Sequence, residues 1–334
     1  MDGTPTLRMN EFVLASLDFH KVDLGPSIIS DPSSLPPITE LIFDIDAKVL
    51  SLIQQSAERF DNLVGAHDLH VLHYEGFGKD FTKKHKVSPD ATVQLIKQLA
   101  FHKFMGRPGV TYESAQTRKF QLGRTEVIRS ASNESKAWVE AMLDPTIKVC
   151  GFAFLIGFLP YLFVLYKDPV HLRSLFARAV ARHIQYATWA ADGQGVDRHL
   201  FGLKKLLKEG EPLPEIYKDP AFARSSHWEV STSQLSSPFF DGWGYGEGKC
   251  FGHSIMHKIA HIFTFLVVPD GYGLSYSIGN DHIRWTITSL KRRTEVLKHY
   301  IAEAATEVKN MLEAAEKKEK SDGVVNRTEV KTKL

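Results

Sequence analysis

The sequence predicts an α/β or α+β fold, and three observations support this. Several stretches repeat apolar residues with the 3.6-residue period of an amphipathic helix. Shorter stretches between them read as strands bounded by Gly-rich or polar loops. The chain has 334 residues, of which 43% are hydrophobic and 24% charged. That length and composition are typical of a soluble globular protein with a sizeable core.

The first predicted elements follow a loop-rich segment, 1–43. Apolar residues recur at helical spacing over 43–63, and 69–74 is a short strand candidate. A second helix is predicted to begin after Ser88, a favourable N-cap, with Pro89 in the first helical position. Its apolar residues form one face, and Gly106 can end it.

The second half continues the alternation of helices and strands. A helix is predicted over 175–193 and a strand over 227–235, which leads into a Gly-rich segment. A long amphipathic helix is predicted from about Thr286 to Lys317, with its apolar stripe in the core.

Charge and cysteine content exclude several classes of function. The formal net charge of +2 gives no reason to expect a nucleic-acid partner. The only cysteines are Cys150 and Cys250, which supports neither a disulfide framework nor a thiolate metal site.

A basic loop precedes the helix that begins after Ser88. Lys79, Lys83, Lys84 and Lys86 cluster there, and ammonium groups beside a helix N-terminus suit a phosphorylated ligand. The alternative is a solvated basic loop with no ligand.

Ser231 and Ser233 stand in the strand segment "STSQ", where alternation would aim both hydroxyls from one face. Such Ser/Thr runs also occur on strands that bind nothing.

Other polar residues are ambiguous when taken alone. Tyr112, Ser114 and Thr125 stand in an otherwise packed stretch. Arg198, if buried, would need an anionic partner, which could be a ligand or the neighbouring Asp197.

Five motifs taken together remove this ambiguity. "GKDFTKKHKVSPDA", "TYESAQTRKFQLGRTEVIRS", "DRHLFGLK", "STSQ" and "VVPDGYGLSY" follow one another along most of the chain. In that order they resemble the choline/carnitine acyltransferases, and most of all the carnitine acetyltransferases. The resemblance implies the α/β fold of coenzyme-A-dependent acyltransferases (chloramphenicol-acetyltransferase-like), with a mixed sheet flanked by helices. It also implies transfer of a short acyl group between coenzyme A and carnitine.

The resemblance assigns roles residue by residue. The residues expected to bind coenzyme A are Lys79, Lys83, Lys84, Ser88, Asp90 and Gln234. Those expected to bind carnitine are Tyr112, Ser114, Thr125 and Arg198. Ser231 and Ser233 would support catalysis, one hydroxyl stabilising the oxyanion and the other contacting carnitine. Many family members have a coenzyme-A-binding arginine where Ile184 stands here, so this contact is in doubt.

The general base of the family is a histidine in a short "EHS" type motif. By this alignment it would precede Met1 by three residues, so we expect the chain to be inactive alone. His73, His183 and His199 match family segments that have no base role. We therefore expect 1–43 to be a remnant of the catalytic-histidine domain with its connector. The carnitine- and coenzyme-A-binding domain would span 44–320, and a disordered tail 321–334.

Two stretches interrupt the family pattern, 149–167 and 248–266. The first contains the uncharged run Val149 to Tyr166, and the second has His253, His257 and His261 spaced by four residues. Because deleting the second restores the family junction "GYGEVVPDGYG", we interpret both as translated retained introns. The alternatives are a membrane hairpin for the first and a metal-binding loop for the second.

The expected partners are carnitine and acetyl-coenzyme A, the latter as co-substrate, with no permanently bound cofactor or metal. We expect a monomer in the mitochondrion or peroxisome, with the cytoplasm as an alternative. Trp243 aligns near a position that closes the acyl pocket, which favours acetyl groups. The competing function is a non-catalytic coenzyme-A-binding or membrane-attached module.

Sequencing cDNA across codons 145–170 and 245–270 and upstream of the Met1 codon tests the retained-intron hypothesis. We expect both stretches to be spliced out and a histidine codon to precede Met1. A message that matches all the codons given would make both stretches genuine protein.

Overall fold

The structure, a computed structural model, describes residues 4–16, 39–144, 168–236 and 268–332. Both interrupting stretches, 149–167 and 248–266, lie outside the described residues, as do Trp243 and the three histidines spaced by four. The described residues form two compact units, one up to His67 and one from Asp68 onward. The domain limits expected at 43 and 320 stay predictions.

The first unit contains helices α1 (Thr4–Ser16) and α2 (Ala47–Gly65). Helix α2 confirms the helix predicted at 43–63, although it begins four residues later. Its start is fixed by Asp46, whose side chain accepts a hydrogen bond from Val49 N at 2.7 Å.

The second unit is built on one mixed sheet of six strands. The strands are β1 (Asp68–Tyr74), β2 (Thr111–Gln116), β3 (Thr125–Ile128), β4 (Val230–Gln234), β5 (Tyr272–Ile278) and β6 (Ile283–Ser289). Their order is β1-β6-β5-β4-β2-β3. Strands β2, β4 and β5 run parallel, and the other neighbours pair antiparallel. The predicted class, α/β with a mixed sheet flanked by helices, is confirmed.

Helices accompany this sheet along the chain. They are α3 (Lys79–Lys84), α4 (Pro89–Met105), α5 (Asn133–Leu143), α6 (Pro169–Ala191), α7 (Asp197–Lys205), α8 (Pro220–Ser225) and α9 (Thr294–Thr332). The capping predictions for α4 are confirmed: Ser88 accepts from Ala91 N, and Gly106 ends the helix with φ at +71°. That backbone angle favours glycine, which has no Cβ to clash.

Helix α4 differs from its prediction in how much of it is buried. Every residue from Ala91 to Phe101 is buried, including the polar Gln94, Lys97 and Gln98. The prediction of one apolar face was therefore incomplete, because the polar side of the helix is covered as well.

The predicted start of the long C-terminal helix was wrong. Residues Ile283–Ser289 form strand β6, and α9 begins at Thr294. The sequence of β6 alternates apolar and polar or hydroxyl-bearing residues, a pattern typical of a strand. Helix α9 continues to Thr332, into the segment expected to be a disordered tail, and that domain assignment stays a prediction.

The core lies between the sheet and helices α4, α6 and α9. Register places Leu274, Trp285 and Ile287 on the same face of the sheet, and all three are at most 1% exposed. Tyr74 on that face contacts Thr306 of α9, and Thr232 contacts Gln94 of α4. A single helical layer thus covers this face.

Within the described ranges, the helices are all too short or too polar to cross a membrane.

Leu274→Ala should lower the free energy of unfolding by about 2–5 kcal/mol, because it leaves a cavity in a closed core. Leu69, which is 58% exposed on the opposite face of the sheet, supplies the matched control. Leu69→Ala should change the free energy by about 0.5 kcal/mol or less. Urea denaturation of both variants measures the difference, and equal losses would contradict the assignment of faces.

Candidate functional site

The parallel pairing of β2 with β4 arranges the predicted site residues. Tyr112 is the register partner of Ser231, and Glu113 is the partner of Thr232. Because side chains alternate along strands, Tyr112 and Ser231 share one face, which we call the hydroxyl face. Ser114 and Ser233 lie on it too, by the same alternation. Glu113 and Thr232 project from the other face, towards the helices.

The residues predicted to bind carnitine come together around Arg198. Its guanidinium donates from Nη2 to Tyr112 Oη at 3.0 Å and to Thr125 Oγ1 at 3.4 Å. Its Nε donates to the carbonyl oxygen of Thr125 at 3.3 Å. Ser114 Oγ donates to Tyr112 Oη at 3.2 Å, which joins the fourth residue to the group.

Asp197 does not pair with Arg198, contrary to one of the two sequence interpretations. The Asp197 carboxylate instead makes two hydrogen bonds to Arg129, at 2.6 and 3.0 Å. No carboxylate in the described part of the chain pairs with the guanidinium of Arg198, which is also exposed. Its positive charge is therefore available to an anionic ligand.

Arg129 also connects this group to its surroundings. Its guanidinium lies 4.4 Å from the ring centroid of Trp228 and donates to the carbonyl oxygen of Ser225 at 2.7 Å. The Trp228 ring meets the Tyr112 ring edge-on at 5.7 Å. Arg129 thus packs on Trp228, and Trp228 packs on Tyr112.

The residues predicted to bind coenzyme A lie on α3, at the start of α4 and at the end of β4. Lys83 and Lys84 are exposed on α3, and Lys79 is partly buried at its first position. Ser88 and Asp90 occupy the N-cap and first turn of α4. Gln234 is the register partner of Tyr276, whose hydroxyl reaches Asp90 at 2.6 Å. Alternation along β4 places Gln234 on the helix-covered face, away from Ser231 and Ser233.

A cavity of about 380 Å³ opens beside the start of α4. Ser88, Asp90 and His183 line it together with Ile184 and Lys119. Ile184 is where the resemblance placed a missing arginine, and this wall of the cavity is apolar. Lys119 is the cation that the structure brings to the same cavity, and it pairs with Asp192.

A buried polar network that the sequence analysis did not predict lies beneath β2 and β4. The Tyr276 hydroxyl lies 2.6 Å from Asp90 Oδ1 and 3.0 Å from Glu113 Oε1, and it accepts from Gln94 Nε2 at 3.0 Å. Gln94 also donates to Thr232 Oγ1 at 3.0 Å. One hydroxyl proton cannot serve two carboxylates, so one carboxyl group gains from holding a proton itself.

His183 and Lys97 complete the network. His183 Nε2 lies 3.6 Å from Asp90 Oδ2 and 3.5 Å from Glu113 Oε2, and the Lys97 ammonium lies 3.6 Å from the Tyr276 ring centroid. Burial lowers the pKa of Lys97 to about 7, although Glu113 and Asp90 oppose the shift. Burial and the charge of Asp90 raise the pKa of Glu113. Burial raises the pKa of Asp90 too, but the nearby His183 and the hydrogen bond from Tyr276 lower it more, and the net pKa is lowered.

Asp90, Glu113 and His183 also present metal-ligand atoms within 4.8 Å of one another. Two carboxylates and an imidazole could hold a divalent cation. The Lys97 ammonium, however, supplies a positive charge to the same carboxylates from within the protein. We assign the cluster as a buried polar network in which His183 faces both carboxylates, and the expectation of no bound metal stays a prediction.

Sequence reasoning missed Gln94, Lys97 and Tyr276, and it gave His183 no role. Gln94 and Lys97 lie one turn apart on α4, a spacing that also fits a solvent-facing polar stripe. The apolar residues around this stripe, such as Leu95, Ile96 and Leu99, are the signal that could have suggested its burial.

The hydroxyls predicted to support catalysis lie on β4. Ser231 is buried and Ser233 is half-buried on the hydroxyl face. Among the described residues, no hydrogen bond joins a histidine to Ser231, Ser233 or Tyr112.

Lys97→Met should change how stability depends on pH. The pKa of about 7 in the folded protein lies below the roughly 10.4 of an unfolded lysine. Between these values the unfolded chain binds more protons, so the wild-type free energy of unfolding gains a rising contribution as pH increases. The variant should lack that rise in urea denaturation at pH 7, 8 and 9. Lys218→Met, at an exposed site, should follow the wild type, and parallel curves for Lys97→Met would contradict the assignment.

Comparison with known proteins agrees with the family that the motif order indicates. The family profile described as Choline/Carnitine o-acyltransferase matches residues 1–303. The chain is 35% identical to the mitochondrial carnitine O-acetyltransferase of Saccharomyces cerevisiae, covering 95% of this chain and 43% of that protein. It is 31% identical to the carnitine O-acetyltransferase of Columba livia, covering 87% and 41%. It is 32% identical to the mitochondrial carnitine O-palmitoyltransferase 2 of Xenopus tropicalis, covering 87% and 39%.

The chain spans about two fifths of the length of these curated relatives. Because the matching profile extends over most of its residues, the chain belongs to the choline/carnitine O-acyltransferase family.

Proposed function

We propose that this chain holds carnitine and coenzyme A for transfer of a short acyl group between them, as part of a carnitine O-acetyltransferase. The observation that carries the proposal is that the guanidinium of Arg198 is exposed and bonded to neutral oxygens. Among the described residues it donates hydrogen bonds to the oxygens of Tyr112 and Thr125 and pairs with no carboxylate. The carboxylate of carnitine would supply the missing negative charge, in the fork geometry that guanidinium groups favour.

The hydroxyl face suits the reacting end of carnitine. Ser231 and Ser233 lie on β4 beside Tyr112 and Ser114 on β2. A hydroxyl on this face can donate a hydrogen bond to the oxyanion that forms when an acyl carbonyl is attacked. We assign oxyanion support and carnitine contact to these two serines.

The surface around α3 and the start of α4 suits coenzyme A. Exposed ammonium groups of Lys83 and Lys84, beside the N-terminus of α4, offer positive charge to phosphates. Asp90 and Ser88 offer polar atoms to the cavity next to them.

The reaction itself needs a proton acceptor. As the carnitine oxygen bonds to the acyl carbon and the carbon–sulfur bond breaks, the hydroxyl proton must reach the departing thiolate through a base. Since no described histidine is hydrogen-bonded to the serines, we propose that the base comes from outside the described residues. The same observation favours the second candidate, a coenzyme-A-binding module without activity.

Compartment and acyl length belong to the proposal as well. The names of the Saccharomyces cerevisiae and Xenopus tropicalis relatives support the mitochondrion. Peroxisomal targeting, a monomeric state and the acetyl preference attributed to Trp243 stay predictions. Identity of 35% to an acetyltransferase and 32% to a palmitoyltransferase does not separate the two acyl lengths.

Arg198→Ala should weaken carnitine binding by roughly 10- to 150-fold, the range for losing a hydrogen bond to a charged group. Coenzyme A binding should be unchanged. The double variant Lys83→Ala/Lys84→Ala should show the reverse pattern, and Lys218→Ala should match the wild type for both ligands. Isothermal titration of the full chain measures each affinity. An Arg198→Ala variant that keeps wild-type carnitine affinity would refute the site.

An assay of acetyl transfer by the isolated chain tests whether the chain is active by itself. We expect both ligands to bind and no carnitine-dependent release of coenzyme A to be measurable. Measurable turnover would show that a base is present after all, in the 334-residue chain. Turnover that appears only when a histidine-containing N-terminal half is added would favour the acyltransferase over the inactive module.

A further inference from the structure

Helix α7, which carries Arg198, begins without a cap of its own. The N-cap position is Val196, whose side chain has no hydrogen-bond acceptor. The first amide groups of a helix have no partner within it and need an acceptor from elsewhere. An uncapped first turn would leave the backbone under Arg198 poorly fixed.

Glu126 of β3 supplies the missing acceptor from a distant part of the chain. Its carboxylate oxygens lie 3.2 and 3.3 Å from Arg198 N. One of them also accepts from Val127 N at 2.6 Å, which holds the carboxylate in place. Glu126 is 4% exposed, so little water competes for these bonds.

Gly195, which precedes the N-cap residue Val196, leaves room for this contact. A Cβ added to Gly195 would lie 2.3 Å from Cγ and 2.5 Å from the carboxyl carbon of Glu126. No side chain fits in that space without displacing the carboxylate. Glycine at 195 therefore permits the loop to close over Glu126.

A second contact joins β3 to α7, and here the donor lies on the β3 side. Arg129, just past the end of β3, donates twice to Asp197, the first residue of α7. Glu126 thus accepts from the helix backbone while Arg129 binds a helix side chain. Together they attach the first turn of α7 next to Thr125.

We propose that Glu126 is a positioning residue, which caps α7 from β3 and thereby aims Arg198 at a carboxylate ligand. The identity of that ligand as carnitine rests on the proposed function. Glu126 does not touch the ligand itself, and its effect passes through the backbone of Arg198.

Hydrogen exchange tests the cap without any ligand. In the full chain, Glu126→Ala should speed exchange of the Arg198 amide at least tenfold, measured by NMR on labelled protein. Glu126→Gln, which keeps an acceptor oxygen, should restore most of the protection. Gly195→Ala should act like Glu126→Ala, because it displaces the carboxylate.

Glu211 provides the matched control. Its carboxylate accepts from Lys208 N at 3.0 Å in a turn after α7, the same type of bond at a different place. Glu211→Ala should expose the Lys208 amide and leave the Arg198 amide and carnitine affinity unchanged. Unchanged exchange at Arg198 in Glu126→Ala would overturn the cap.

A double-mutant cycle on carnitine affinity tests positioning. Glu126→Ala should weaken binding about tenfold, Glu126→Gln should recover most of it, and Glu126→Ala should add no loss to Arg198→Ala. If the losses of carnitine affinity in Glu126→Ala and Arg198→Ala add in the double variant, Glu126 does not act through Arg198. If exchange changes as expected but wild type binds no carnitine, the proposed function fails and with it the ligand named here. If Glu126→Ala leaves exchange of the Arg198 amide unchanged while Arg198→Ala still weakens carnitine binding, the positioning role of Glu126 is overturned and the proposed function stands.

Discussion

The parallel pairing of β2 with β4 is the constraint on which the rest of the site depends. It sets Tyr112 beside Ser231 and Glu113 beside Thr232, and alternation then sends each pair to its own face. A slip of one residue would exchange the faces. Thr232 opposes such a slip, because its hydroxyl donates to the carbonyl oxygen of Tyr112 at 2.9 Å and accepts from Gln94.

The two faces created by this pairing meet different chemical demands. The helix-covered face holds Lys97, Glu113 and His183 out of water. His183 Nε2 lies 3.5 Å from Glu113 Oε2, and burial shifts the pKa values of Lys97 and Glu113 towards their neutral forms. The opposite face keeps its hydroxyls near the guanidinium of Arg198, which pairs with no carboxylate in the part of the chain that the structure describes.

Helix α7 shows how a local weakness in the sequence is corrected by tertiary contacts. Val196 cannot cap the helix, yet Glu126, Arg129 and Gly195 fix its first turn from outside. The motif "DRHLFGLK" contains only half of this arrangement, and "GRTEVIRS" contains most of the other half. Their distance along the chain hides a contact that the fold makes direct.

Sequence alone determined the elements with strong local signals: the Ser88 cap, the end of α4 at Gly106, strand β1 and the order of the family motifs, and with them the α/β acyltransferase fold. It misjudged 286–289 as helix, because an apolar stripe downstream was extended through a strand. Tertiary structure decided that Asp197 pairs with Arg129 rather than Arg198, and that Gln94 and Lys97 are buried. Caps and periodicity depend on neighbours within a few residues. The choice of an ion-pair partner and the covering of a polar stripe depend on strands and helices that only folding brings together.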